Sequence, residues 1–97
     1  MNAKEMFEKL GYKQKIKRND CNNIYLIEYK KEKTGWEHRV SVYQFWIAKK
    51  EIKTTNFCNY QSACYCYKHV PKIIPYEQLQ AINKQVEELG WNKWIEK

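Results

Sequence analysis

RVSVYQFWI, running from Arg39 to Ile47, decides how the rest of the chain is read. Val40, Val42 and Trp46 alternate with Tyr43, Phe45 and Ile47, which is the two-residue period of a strand and not the 3.6 of a helix. Both faces turn apolar toward Ile47, so the spacing predicts a central strand covered on both sides at that end. Upstream, IYLIEYKK (Ile24 to Lys31) reads as a second strand, with Tyr25, Ile27 and Tyr29 on one face and Ile24 and Leu26 on the other. Glu28 alternates with Ile24 and Leu26 toward a face that becomes charged at Lys30. Before it, YKQKIKR puts Lys13, Lys15 and Lys17 on one face of a further strand. NDCNN (Asn19 to Asn23) is turn chemistry, because Asn and Asp tolerate left-handed backbone and bond it with their own side chains. EKTGWEH reads as a loop around Gly35. Downstream, KKEIKTTNF suggests a more polar strand, NYQS a turn and ACYCYKH a last strand. Strands this short and closely spaced, with no helical pattern between them, join as an antiparallel meander and not as βαβ units.

The two ends are helical. Asn2 and Glu5 have the spacing of a capping box, Ala3, Met6, Phe7 and Leu10 form one apolar stripe, and Gly11 is the stop. Pro71 and Pro75 enforce extended backbone before them, and Pro75 opens PYEQLQAINKQVEELG. There Leu79, Ile82, Val86 and Leu89 step by helical intervals and form the expected core stripe, closed by Gly90. Trp91, Trp94 and Ile95 either pack back on the sheet or meet a partner; large aromatics are mostly buried, which favours packing. The chain thus reads as one α+β domain over residues 1–97. An N-terminal helix spans residues 1–11 and an antiparallel sheet of four to five strands spans 12–70. A longer C-terminal helix covers 75–90 and a Trp-containing tail 91–97. Both helices are expected to pack on the sheet.

The chain has 97 residues and a net charge of +7. Residues 1–71 hold fourteen Lys/Arg and seven Asp/Glu, whereas residues 72–97 hold four of each, so the whole excess lies in the N-terminal part. Such a field favours anionic partners, whether nucleic acid, an acidic protein face or a nucleotide. Sixteen of the eighteen cations are lysine, which binds phosphate as a point charge, and this disfavours base-specific DNA readout. No apolar run approaches the ~20 residues of a membrane span, and the N-terminus lacks a signal-peptide core, so no membrane partner and a cytosolic location are expected. The lysine row has two readings, a solvated or edge-protecting face and a phosphate track. On the second, Lys13, Lys15, Lys17 and Arg18 with Lys49, Lys50 and Lys53 follow phosphates, while Tyr25, Tyr43 or Trp46 stack on bases.

CNYQSACYCYKHV supplies Cys58, Cys64, Cys66 and His69, the count of a structural zinc site. The spacing lacks the CxxC turn that aims two sulfurs inward. On a strand Cys64 and Cys66 share a face and His69 falls on the other. A disulfide from Cys58 is opposed by a reducing cytosol, and a redox pair would need a helix start. The favoured account is cysteine as a small apolar strand residue, with no cofactor; a zinc-stabilised module is the remaining alternative. His38 and His69 sit in no nucleophile motif, and there is no P-loop, GxGxxG or HExxH, so a non-enzymatic protein is expected.

MNAKEMFEKLGY and YEQLQAINKQVEELGW resemble a family of small uncharacterised accessory proteins encoded by phages and prophages of Gram-positive bacteria. The resemblance covers the two helices and transfers no catalytic residue. It implies a protein acting in the bacterial cytosol on a host protein, a ribonucleoprotein or nucleic acid, for example as an inhibitor of a defence system such as a CRISPR nuclease.

Overall fold

The computed structural model describes residues 1–35, 37–60, 67–69 and 73–91, with the backbone path alone at 37, 58–60 and 67–69. The elements run α1 (Ala3–Lys9), β1 (Lys13–Arg18), β2 (Ile24–Lys33), β3 (Glu37–Trp46), β4 (Glu51–Tyr60), β5 (Tyr67–His69) and α2 (Tyr76–Glu88). The strands form one antiparallel sheet in chain order, the expected meander in an α+β fold. β2 and β3 each extend into the segment read as a loop, which shortens the connection around Gly35, and β4 continues through Asn59 and Tyr60, read as turn. Residues Ala63 to Cys66, Pro71, Trp94 and Ile95 lie outside the described residues.

Local chemistry makes these elements. Asn2 accepts from the Glu5 amide and Glu5 returns a bond to the Asn2 amide, so the capping box is complete. In the first hairpin the Asn19 side chain accepts from the amides of Cys21 and Asn23, and Asn22 takes a left-handed φ of 65°. Arg18 donates to the Asn22 carbonyl and so braces this turn. Gly11 ends α1 at φ 93°, a conformation that favours glycine.

Both helices pack on one face of the sheet. Phe7 is the centre of the packing. Its ring stacks on Tyr29 at 3.9 Å and lies within 5.6–6.3 Å of Tyr12, Tyr43 and Phe45. Ala3, Ile27, Ala81 and Ile82 complete the buried set, with Met6, Leu10, Ile24, Ile47, Val86, Leu89 and Trp91 around it. Burial of each large side chain here contributes about 1.5–3 kcal/mol. Glu88 accepts from the Ala3 amide at 2.8 Å and so ties the end of α2 to the start of α1, where a carboxylate also meets the positive end of the helix dipole.

Three expectations are corrected. Strict alternation placed Tyr25 with Ile27 and Tyr29. The register instead shifts between Lys17 and Arg18, where Tyr25 is bulged out. Ile24 thereby joins the core and the Tyr25 ring moves to the end of the sheet beside Trp46. The α2 stripe is also rotated: Ala81, Ile82 and Gln85 are buried, whereas Leu79 is 42% exposed. The cause is polar. Tyr43 and Tyr12 donate to the Gln78 side-chain carbonyl, the latter at 3.2 Å, and Tyr29 donates to that of Gln85. Buried hydroxyls without acceptors are costly, and turning the glutamines inward satisfies all three. Finally, both helices lie on the inner face of β3 and Trp46 is half-buried on the outer one, so among the described residues no element covers the Ile47 end on both sides as expected.

These hydroxyls make the core sensitive to alkali. Desolvation pushes the Tyr29 phenol up to about 12, and it raises Tyr12 and Tyr43 as well. A phenol held neutral in the fold but free to ionise near 10 when unfolded contributes stability below pH 10 that is lost as pH rises toward 12. Urea midpoints measured across that window are expected to fall, and Tyr29→Phe is expected to make the fall shallower; an unchanged profile would refute the assignment.

Candidate functional site

The outer face, opposite the helices, carries Lys13, Lys15, Lys17, Lys30 and Lys53. Cross-strand register sets them in rows: Lys17, Leu26, Trp46 and Glu51 in one, Lys15, Glu28, Gln44 and Lys53 in the next, then Lys13, Lys30, Val42 and Thr55. The face shared by Lys13, Lys15 and Lys17 is therefore as the alternation predicts, and it joins that of Lys53.

The aromatic part lies at one end. The Tyr25 and Trp46 rings are 6.3 Å apart at 43°, and the Lys53 ammonium stands 5.4 Å over the Trp46 ring. Such a contact orients the ring as well as the charge. Tyr25, Trp46, Ala48, Lys49, Glu51 and Lys53 line a shallow depression of about 260 Å³. Lys49 and Lys50 lie in the turn between β3 and β4, where Lys50 adopts φ 55°. Leu26 is 2% exposed although it faces away from the core; it is the cross-strand partner of Trp46 and is covered beside it. The Trp46 indole donates to Gln44 at 3.3 Å, and Gln44 donates to Glu28 at 2.7 Å, so a polar chain positions the ring. Neither Leu26 nor this chain stood out in the sequence, because both depend on the β2–β3 register.

Tyr43 does not belong to this surface. It is fully buried under α2 with its hydroxyl on Gln78, so it cannot stack on a base. Arg18 serves the first turn and is exposed at the sheet edge. Of the ten cationic and aromatic candidates, Tyr43 alone is removed by burial.

Cys58, Cys64, Cys66 and His69 cannot be judged as a set, since Cys64 and Cys66 lie outside the described residues. The backbone register pairs Cys58 with Lys68 and His69 with Phe57, which puts positions 58 and 69 on opposite faces of the β4–β5 pair. Among the described residues no group of three or more His, Cys, Asp or Glu is arranged to hold a metal. Cys21 is an exposed free thiol in the first turn. His38 meets Glu32 at 2.5 Å, an exposed pairing with no nucleophile in it. No helix among the described residues is long and apolar enough to cross a membrane.

No family model matches the chain, and no curated protein or solved structure matches it.

The contrast between the two tyrosines is measurable. Tyr43→Phe strips the Gln78 carbonyl of a buried donor and is expected to cost about 1–3 kcal/mol in urea unfolding. Tyr25→Ala, on an open surface, is expected to stay within about 0.5 kcal/mol. Equal costs would contradict the burial described.

Proposed function

We propose that this is a non-enzymatic binding protein whose outer sheet face engages an anionic macromolecule, with single-stranded nucleic acid as the occupant that the geometry supports best. The observation that carries the reading is the Tyr25–Trp46 pair with Lys53 over the indole and Lys15 and Lys17 in adjoining rows. Open aromatic rings accept unstacked bases, each worth about 1–3 kcal/mol, and flanking lysines take the phosphates between them. A duplex offers no such free base faces, and the scarcity of arginine argues against base-edge reading. The likeness of the two helical ends to phage accessory proteins supports a setting in an infected bacterial cell.

A second reading is favoured by one feature. Glu28, Glu32 and Glu51 interleave with the lysines, and Val40 and Val42 lie half-buried between them. Mixed charge over an apolar strip suits a protein partner such as a host defence nuclease better than it suits a bare phosphate track.

Fluorescence anisotropy with short single-stranded and duplex oligonucleotides separates the two. For three to four engaged lysines the plot of log affinity against log salt is expected to slope at about −2 to −3. Trp46→Ala is expected to weaken single-strand binding about tenfold or more. Affinity that ignores both salt and Trp46 would remove the nucleic-acid reading. In that case Trp46-dependent capture of an identified nuclease at low salt is the outcome the protein-partner reading requires.

A further inference from the structure

Stacking on Tyr25 and Trp46 does not by itself choose a base, because every base presents a π-face. A choice requires polar groups at the edge of the ring. The depression at the end of the outer face has such a group. Among the described residues that line it, Glu51 supplies the single carboxylate, beside Lys49 and Lys53. It opens β4 and is the direct cross-strand partner of Trp46. On the other flank Trp46 is paired with Leu26, next to Tyr25, whose ring is 39% exposed. The indole therefore lies between an aromatic wall and an exposed carboxylate.

Glu51 differs from the other acids of this face. Glu28 accepts from Gln44 at 2.7 Å, and Glu32 lies 3.9 Å from Lys30 and meets His38. Among the described residues no hydrogen bond or ion pair engages the Glu51 side chain. Lys53, on the same face of the same strand, turns to the indole instead, with its ammonium 5.4 Å from the ring centroid. An acid at this place opposes the attraction of the lysines for phosphate, so a phosphate track alone is weakened by it. Directly opposed residues have Cβ atoms about 4.5–5.5 Å apart. A base laid over the indole thus carries one edge to the carboxylate.

An ionised carboxylate accepts and does not donate. Its two oxygens match two N–H groups held side by side. Among the free Watson–Crick edges of a single strand, guanine alone offers that pair, N1–H and the N2 amino group. Adenine and cytosine set one amino group beside a bare ring nitrogen, and thymine or uracil sets its N3–H between two carbonyls. In each of these a lone pair faces a carboxylate oxygen. We propose that this depression selects unpaired guanine, with Trp46 as the stacking platform and Glu51 accepting from N1–H and the N2 amino group. Lys53, on a flexible stem, leaves the ring for the adjoining phosphate, and Lys49 takes the next. Arginine reads the major-groove edge of a paired guanine; the Watson–Crick edge, open only in an unpaired strand, presents donors and calls for a carboxylate. The inference rests on the nucleic-acid reading of the outer face.

Competition fluorescence anisotropy with a short oligothymidylate, and with the same strand carrying one central guanine, adenine, cytosine or hypoxanthine, is the primary experiment. The guanine strand is expected to bind about fivefold or more tighter than the thymine, adenine and cytosine strands, the low end of what a bidentate base contact supplies. Hypoxanthine keeps N1–H and lacks the N2 amino group, so its strand is expected to lose most of that gain. Glu51→Gln exchanges one acceptor oxygen for an amide and removes the charge. It is expected to level the strands and to bind oligothymidylate at least as tightly as the parent does, with an unchanged circular dichroism spectrum. Guanosine 5′-monophosphate is a further competitor. Weak displacement by it identifies the strand as the source of the base, and displacement as strong as the guanine strand's own identifies the free nucleotide. Binding that depends on salt and Trp46 but not on the base overturns guanine selection and leaves the nucleic-acid reading in place. A guanine preference that survives in folded Glu51→Gln, or a hypoxanthine strand that binds as well as the guanine strand, overturns the contact with Glu51. Failure of every strand to bind removes the reading and this inference together.

Discussion

Three tyrosine hydroxyls end beneath α2, and the two glutamines that receive them set how that helix lies. Tyr12 and Tyr43 converge on Gln78, and Tyr29 reaches Gln85. Seven residues separate the acceptors, two helical turns, so both point to the sheet at once. A rotation of α2 that buried Leu79 in place of these glutamines would take the acceptors from Tyr29 and Tyr43, at about 1–3 kcal/mol each, while Tyr12 would keep Ser41 at 2.8 Å. That penalty exceeds what one leucine contributes by burial, about 1.5–3 kcal/mol. Ala81 lies between them and lets the helix approach closely. Phe7 then fills the space bounded by Tyr12, Tyr29, Tyr43 and Phe45, and the Glu88–Ala3 bond fixes α1 against α2.

Both helices are thereby committed to one face and to one half of it. The sheet is longer than the layer above it, since β2, β3 and β4 each run for ten residues. Two regions are left without a helix over them: the outer face, and the helix-side surface past Tyr29 and Tyr43. The cations divide between them. Lys13, Lys15, Lys17, Lys30 and Lys53 occupy the first, and Lys31, Lys33 and Arg39 the second. The alternation of β2 is what sorts Lys30 from Lys31 across the thickness of a single strand.

Alternation and capping were legible in the sequence because they are local. The capping box at Asn2, the Asn-rich turn, the meander and the common face of Lys13, Lys15 and Lys17 all follow from residues within a few positions of one another. The bulge at Tyr25 was not legible, since it shows only against β1. Tyr43 read as a surface ring for a related reason: a strand's period says which residues share a face, not which face is covered. The α2 stripe misled because hydrophobicity alone weighed Leu79 above Gln78 and Gln85, and the tyrosine donors that reverse the order are on distant strands. The opposition of Lys33 and Arg39 depends wholly on register, as Lys33 reads as part of the loop around Gly35 and Arg39 as the start of the central strand.

The placement of like charges argues that these surfaces are not shaped for stability alone. Lys13 faces Lys30 on the outer side, and Lys33 faces Arg39 on the other. Each opposition costs a few tenths of a kcal/mol or more, on a scale where cross-strand pairs are worth roughly 0.2–1 kcal/mol. On the outer side Glu32, 3.9 Å from Lys30, offsets part of the cost. A solvated lysine face spreads its charges and intersperses acids, as the outer face does with Glu28 and Glu51. The helix-side surface past Tyr29 and Tyr43 instead brings Lys31, Lys33 and Arg39 close to Ser41 and Asn56, so the strand alternation that separates two faces also separates two kinds of charged surface.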